Sequence, residues 1–239
     1  MFSGDDEEMV QASLRAQETF RYLWREVDWE RRRIVPALDL ACVKAPFSDG
    51  ELDGESRVEH MWVSDLDFDG ALIHGTLINS PNWLKSVSEG DPIRLPLEHL
   101  GDWMYASRGR VYGAYTVNLM RSRMSPEERA GHDEAWGLEF GDPAQIQVAP
   151  EGYPETDHPM SVNMRESLEQ DLAQDAQAFF EPDEEGWTLL HRLALSGSLS
   201  CVEALLAHGA DRKAKTKSGL TPLDLAKCLQ WTEVAALLR

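Results

Sequence analysis

The chain has 239 residues, with 23 lysines and arginines against 42 aspartates and glutamates, which gives a formal net charge of −19 at pH 7. This imbalance argues against a nucleic-acid-binding protein, which needs a basic face, and favours a protein partner with a basic surface. The length suffices for one large domain or two ordinary ones. The acidic N-terminus does not resemble a signal peptide and no stretch is apolar enough to cross a membrane, so we expect a cytoplasmic protein. The three cysteines, Cys42, Cys201 and Cys228, lack the spacing of a zinc site, and no motif predicts a cofactor.

The first predicted element is a long helix over about residues 6–35. Leu14, Phe20 and Trp24 approximate one apolar face of such a helix. Pro36 is expected to end it, because proline lacks the N–H group that the helix interior needs.

Strand character dominates the stretch that follows, where turn-forming residues separate five segments. Ser107-Arg108-Gly109 predicts a hairpin turn. Ser125-Pro-Glu-Glu128 predicts a capping box that opens another helix. The five predicted strands lie within Leu38–Ala45, Arg57–Ser64, Ala71–Ile78, Pro92–Leu97 and Arg110–Leu119.

Three alternating aspartates, Asp65, Asp67 and Asp69, precede Gly70 and copy the start of a calcium-binding loop. The twelfth position of such a loop needs glutamate, and here it is Thr76. The flanking segments are predicted strands and not helices. We therefore interpret this stretch as an acidic hairpin turn and not as a metal site.

Several motifs of this region occur in the order seen in a family of bacterial domains. The stretch from about Gln17 to Pro143 resembles the YegJ-type domain of unknown function, for which no chemistry is established. The resemblance implies an α+β domain over residues 1–143, with an antiparallel sheet and a surface rich in Trp and Tyr. The motifs are Val58-Glu-His-Met-Trp-Val, Gly75-Thr-Leu-Ile-Asn79-Ser-Pro81, Gly90-Asp91, Asp102-Trp103-Met104-Tyr105 and Tyr112-Gly113-x-Tyr115-Thr116.

A change of composition marks a second region. Prolines spread through residues 144–160 predict a linker. Met164, Leu168 and Leu172 follow at four-residue spacing, which predicts a helix that covers the element after it. Residues 161–239 are therefore expected to form a separate helical domain.

A motif in that domain recurs after thirty-three residues. The recurrence resembles the ankyrin repeat, with a Leu-Leu pair and Gly-Ala-Asp between the copies. The resemblance implies two helical repeats that bind another macromolecule and carry out no chemistry. The two copies are Gly186-x-Thr188-Leu189-Leu190-His191 and Gly219-x-Thr221-Pro222-Leu223-Asp224.

The start of the first repeat is the leading candidate for a partner-binding surface. Asp183, Glu184 and Glu185 precede Trp187, which occupies the variable second position of the motif. An aromatic residue among carboxylates suits a binding hot spot for a basic partner. The alternative is that Trp187 packs against Phe179–Phe180.

Together these features predict a protein-binding protein. Ankyrin repeats beside a YegJ-type domain resemble immunity proteins of bacterial toxin systems, including type VI secretion. That resemblance implies binding and neutralisation of a cognate toxin, for example a basic nuclease. Two alternatives are a scaffold without inhibitory action and an enzyme with a site around His60, Asp102 and Trp103. The oligomeric state is left open, and the second candidate surface is the aspartate turn with Trp103 and Tyr105.

Overall fold

The computed structural model describes residues 7–50 and 58–239. Position 6, the expected start of the first helix, and Arg57 of the second predicted strand lie outside them. The chain divides into two compact units, Met1–Pro150 and Glu151–Arg239.

The first unit is built on an antiparallel sheet, as predicted. Six strands of the described residues lie in the order β4-β3-β2-β1-β5-β6. The strands are β1 (Leu40–Phe47), β2 (Glu59–Phe68), β3 (Leu72–Leu77), β4 (Pro92–Pro96), β5 (Asp102–Ser107) and β6 (Arg110–Gly113), and the helices are α1 (Glu7–Glu30), α2 (Tyr115–Ser122) and α3 (Pro126–Trp136).

Helix α1 ends at Glu30, five residues before the predicted boundary. The carboxylate of Glu30 accepts hydrogen bonds from the backbone N–H groups of Ala37 and Leu38. These bonds fold the chain back towards the sheet. The helical pattern alone could not predict that closure, because it depends on residues beyond the helix.

One side of the sheet packs on α1. The indole N–H of Trp103 donates to the carbonyl of Ala16 at 2.9 Å. Phe68 makes edge-on ring contacts with Phe20 and Trp24, with centroids 5.3 and 5.8 Å apart. Burying large apolar side chains in this way is worth about 1.5–3 kcal/mol each. This packing is the main tie between α1 and the sheet.

The fifth predicted strand is wrong in its second half. The hairpin turn is confirmed, because Arg108 and Gly109 both have positive φ and connect β5 to β6 as a two-residue turn. After Gly113, however, the chain enters α2. Gly113 and Ala114 also have positive φ, which turns the backbone out of the sheet.

Helix α2 packs mainly on α1, and side-chain bonds join it to α3. The guanidinium of Arg121 makes two bonds to the carboxylate of Asp133, at 2.8 and 2.6 Å. Ser125 and Glu128 form the predicted capping box at the start of α3. Met104 and Val117 belong to the buried cluster beneath these helices.

The second unit is helical, in agreement with the prediction. Helix α4 packs mainly on α6, and the pairs α5–α6 and α7–α8 form the two repeats. The side chain of Asp157, just before α4, accepts a bond from the backbone N–H of Ser200 at 2.9 Å. The helices are α4 (Pro159–Phe180), α5 (Leu189–Leu195), α6 (Leu199–Ala207), α7 (Pro222–Cys228) and α8 (Thr232–Leu237).

Candidate functional site

Each repeat begins with the same backbone turn. In the first, the N–H of Asp183 donates to the carbonyl of Trp187 at 2.9 Å, and in the second Thr216 donates to Leu220 at 3.0 Å. The glycine inside each turn has a φ above +80°, which L side chains rarely adopt. We call residues 183–187 the first fingertip and residues 216–220 the second fingertip.

His191 holds the two repeats together. Its Nδ1 accepts a bond from the backbone N–H of Thr188 at 3.1 Å, while Nε2 donates to the carbonyl of Ala214 at 3.1 Å. This arrangement uses the neutral ring, and burial lowers the pKa of His191. The equivalent residue of the second repeat, Asp224, forms a capping box with Thr221.

Asp183 has a structural role in the first fingertip. Its carboxylate accepts bonds from the backbone N–H groups of Glu185 and Trp187 at 3.0 and 2.9 Å, and it also pairs with Arg192. Burial alone would raise the pKa of Asp183, but these donors hold it below its usual value. A charge reversal at Asp183 would therefore damage the turn as well as any binding surface.

The other two predicted acids are displayed to solvent. Glu184 is exposed, and Glu185 pairs with Lys217 of the second fingertip at 3.4 Å. Both members of that pair are about two-thirds exposed, so the pair contributes on the order of 0–1 kcal/mol. Their charges remain largely available to a partner.

Trp187 is half-buried and packs against its own repeat. Its ring lies 5.6 Å from the guanidinium carbon of Arg192 and 6.0 Å from the ring of His191. These contacts hold the indole in place, and its exposed part lies beside the acidic residues of the first fingertip.

The acidic character of the first fingertip continues along α4. Residues 166–185 hold eight carboxylates and no lysine or arginine. We call this segment the acidic stretch. Six of its carboxylate side chains are exposed besides that of Asp183: Glu166, Asp171, Asp175, Glu181, Glu184 and Glu185.

The three aspartates of the predicted acidic turn, Asp65, Asp67 and Asp69, do not come together at one site. Asp65 and Asp67 lie in β2 at an irregularity of the strand, and only Asp69 reaches the turn. Asp67 pairs with Arg31 at 2.9 Å, and Asp69 contacts His74 at 2.9 Å. The acidic turn is thus confined to Asp69, whose carboxylate accepts bonds from the backbone N–H groups of Ala71 and Leu72, and Asp67 is held separately by Arg31. Over the described ranges, no group of three or more His, Cys, Asp or Glu residues is arranged to hold a metal ion.

The second candidate surface is wrong at Trp103 and Tyr105, because both side chains are at most 1% exposed. They lie on the side of β5 that α1 covers, and the Tyr105 hydroxyl donates to the carbonyl of Val148 at 3.2 Å. The implied surface rich in Trp and Tyr is accordingly small. Among the residues of the first unit that the structure describes, the large exposed aromatic side chains are Trp83 and Trp136, 43% and 39% exposed.

Asp102 lies at the start of β5, and its side chain caps the beginning of α2. Its carboxylate is fully buried and accepts bonds from the backbone N–H groups of Tyr115 and Thr116, and from the Thr116 hydroxyl, at 2.9, 2.8 and 2.6 Å. Burial raises the pKa of Asp102, and nearby Lys44 and these donors oppose that rise. Because both oxygens bind α2, the carboxylate is committed to the helix and not to His60, which is exposed on β2.

Comparison with known sequences places the chain in a family. Residues 6–140 match the family DUF2314, "Uncharacterized protein conserved in bacteria", and residues 180–226 match "Ankyrin repeats (many copies)". The first match covers more than half of the chain, so the protein belongs to the DUF2314 family. It carries ankyrin repeats in addition.

Three relatives extend this assignment. An ankyrin repeat protein of Neisseria meningitidis serogroup B, NMB1133/NMB1171, is 45% identical over 98% of this chain and 93% of its own length. The uncharacterized protein YegJ of Escherichia coli K12 is 30% identical over 38% of this chain and 56% of its own length. The mouse inhibitor of Bruton tyrosine kinase is 50% identical, but only over 18% of this chain and 3% of its own length. The repeats therefore support interaction with a protein.

One charged feature of the repeats was not predicted from the sequence. The second fingertip and the residues before it are basic, in the run Arg212-Lys-Ala-Lys-Thr-Lys217. The signal was present in the sequence, but the net charge of −19 concealed it.

Within the described ranges, no helix is both long and apolar enough to cross a bilayer.

Proposed function

We propose that this chain binds and neutralises a toxin protein through the acidic stretch and the first fingertip. The observation that carries the proposal is the display of Glu184, Glu185 and Trp187 on a turn whose backbone is fixed by Asp183. Ankyrin repeats are protein-interaction modules, and a fixed loop lowers the conformational entropy lost on binding. The toxin partner and the neutralisation rest on the resemblance to immunity proteins.

Charge supports a basic partner. Exposed carboxylates on one stretch attract a basic surface over a Debye length of about 8 Å at physiological salt. Such steering raises the association rate more than it changes the dissociation rate. Trp187 supplies the apolar anchor, and tryptophan is enriched among the residues that dominate binding energy.

The test starts from the product of the adjacent gene, co-expressed with the full chain. Relief of that product's toxicity and co-purification with it are the expected results. A partner that is bound without loss of its activity would indicate a scaffold. Absence of any complex with the neighbour, or with other proteins of the same cell, would contradict the proposal.

Matched variants then locate the surface. E184K/E185K leaves Asp183 in place and is expected to lower the association rate about tenfold at low salt. The control E127K/E134K makes the same change of net charge on exposed positions of α3. Equal association rates for the two double variants would show that the first fingertip is not the contact surface.

The anchor has its own control. Trp187→Ala is expected to raise the dissociation rate, at a cost of about 2 kcal/mol. Trp83→Ala removes an equally large, partly exposed indole from the first unit. Circular dichroism must first show that Trp187→Ala retains the helical content of the parent. A folded Trp187→Ala variant with the parent's dissociation rate would exclude Trp187 as the anchor.

A further inference from the structure

The two parts of the helical unit carry opposite charge. Residues 151–210 hold twelve acidic and two basic residues, a net charge of −10, whereas residues 211–239 hold three acidic and six basic residues, a net charge of +3. The basic residues concentrate in residues 211–217, which we call the basic loop. Its four cationic side chains are all exposed: Arg212, Lys213, Lys215 and Lys217.

The backbone of the basic loop is fixed on both sides. The carboxylate of Asp211 accepts a bond from the N–H of Lys213 at 2.8 Å, so it is engaged within the loop. The His191 ring binds the carbonyl of Ala214, and the N–H of Lys217 donates to the carbonyl of Glu185 at 2.8 Å. The cations are therefore presented on an ordered frame, which lowers the entropic cost of binding an anion.

A small pocket with both apolar and polar lining residues lies at the base of this loop. Its volume is about 260 Å³, below the roughly 300–1,000 Å³ of small-molecule sites. Phe179 and Phe180 from the end of α4 line it, and both are half-buried. Asp211 and Ala214 belong to the pocket wall as well as to the basic loop. The pocket therefore has the size for one side chain. Its wall contains the acid Asp211 and no cation, and the exposed Lys213 and Lys215 flank the wall residue Ala214 in the sequence.

The four cations of the basic loop differ in the contacts that they make within the chain. Lys217 pairs with Glu185, and Arg212 donates to the carbonyl of Arg239 at 3.3 Å. Hydrogen bonds from Thr221 lower the pKa of Asp224, and the charges of Lys227 and Lys215 lower it further. Lys213 and Lys215 are exposed on either side of Ala214, which lines the pocket. They are the cations of the loop that adjoin this wall residue in sequence.

We propose that the basic loop and this pocket bind an acidic segment of a partner protein that inserts one large apolar side chain into the pocket. This inference rests on the proposed function. It assigns to the partner an acidic segment that contacts the basic loop, in addition to the basic surface that contacts the first fingertip. Apolar burial provides affinity, while the exposed lysines select the charge of the flanking residues.

A short acidic segment fits this site better than a nucleic acid. A nucleic acid has a continuous line of phosphates and needs a continuous basic surface. Here the basic loop adjoins the first fingertip, and Glu185 contacts Lys217. A long polyanion would run onto the acidic stretch, whereas a few carboxylates can remain on the loop.

The test is selection of a random dodecapeptide library displayed on phage against the immobilised full chain. The expected peptides combine several Asp or Glu residues with one large apolar residue. The variant K213E/K215E should bind these peptides at least tenfold more weakly than the parent chain does. K85E/R94E changes the net charge equally at exposed positions of the first unit and should retain them. K213Q/K215Q repeats the test if the charge reversal fails to fold.

The pocket is tested separately with a selected peptide. Ala210→Leu fills the pocket from its wall and should weaken binding at least tenfold. Ala207→Leu adds the same atoms at an exposed position of α6 and should leave affinity unchanged. Equal affinity of the two variants would overturn the pocket as the apolar site.

The other outcomes separate this inference from the proposed function. Enrichment of basic peptides, lost with E184K/E185K, would overturn the inference and leave the proposed function standing. Absence of any enriched peptide would count against both. Tighter binding of a twenty-nucleotide oligothymidylate than of the acidic peptides, sensitive to K213E/K215E, would also overturn the inference.

Discussion

The first fingertip and the second fingertip share a backbone and differ in charge. Each turn closes with a hydrogen bond between residues four apart and contains a glycine at positive φ. Glu184 and Glu185 are exposed on the first, while Lys217 is exposed on the second and Lys215 is exposed just before it. A few turn and cap positions therefore determine the fold of a repeat, and the exposed positions can differ in charge without changing that fold.

The interior of the two repeats differs where they meet. Gly197 has a φ of 69°, and a methyl group there would come within 2.3 Å of the Trp231 ring. The equivalent residue of the second repeat is Gln230, which keeps a positive φ of 58° with a full side chain. The glycine is thus required by the neighbouring repeat and not by the turn alone.

The largest expected effect follows from this difference. Gly197→Ala should destabilise the chain by about 3 kcal/mol or more, through overpacking and backbone strain together. Gly209→Ala meets no atom within 4 Å and should cost only about 1–2 kcal/mol of strain. Urea unfolding followed by circular dichroism measures both. Equal costs would show that contact with Trp231 contributes nothing.

A second difference concerns the two helix caps. His191→Ala should cost about 2–3 kcal/mol, because it leaves buried groups of Thr188 and Ala214 without a partner. Asp224→Ala removes only a capping box at an exposed end and should cost about 1 kcal/mol. The same denaturation experiment ranks them. A cost of Asp224→Ala equal to that of His191→Ala would mean that the link to Ala214 is not stabilising.

Acid should weaken the helical unit through the same histidine. Burial lowers the pKa of His191 in the folded state, below the value of about 6.5 expected when unfolded. The unfolded chain therefore binds the proton more readily, and the contribution is complete above pH 6.5 and lost as pH falls below it. His191→Gln should flatten the stability profile between pH 7 and pH 5. An unchanged slope in that variant would assign the dependence to other groups.

The smallest expected effect distinguishes structural from displayed acids. Asp183→Ala should cost about 0.5–1 kcal/mol, because the lost hydrogen bonds are partly exposed to solvent. Glu184→Ala should change the free energy of unfolding by less than about 0.5 kcal/mol. In binding, the order should be reversed once both variants are shown to be folded. A larger stability loss for Glu184→Ala would remove the distinction between the two roles.

The sequence predicted repeating elements better than contacts between elements. The thirty-three-residue recurrence from Gly186 to Gly219 contains its own check, because several positions repeat together. The hairpin at Arg108–Gly109 was equally local. Trp103 and Tyr105 were expected on a surface because the YegJ-type resemblance implies one rich in Trp and Tyr, and the sequence does not show that α1 covers this side of β5.

Tertiary contacts also explain the other errors. Arg110–Leu119 alternates like a strand, but the carboxylate of Asp102 holds the start of α2 at Tyr115 and Thr116. Asp65 and Asp67 form part of a spaced acidic pattern, but Arg31 of the preceding turn pairs with Asp67. Neither partner is close in sequence. The basic loop is a short local run of cations, which a formal net charge of −19 does not reveal.

The most direct test exchanges the charges of the two fingertip regions in one chain. The variant E184K/E185K/K213E/K215E keeps the formal net charge at −19, so the overall field of the protein is unchanged. Stopped-flow association with the co-purified partner, measured at several salt concentrations, should be at least tenfold slower than for the parent at low salt. Association of the exchanged variant at the parent's rate would contradict the claim that local charge on the repeats selects the partner.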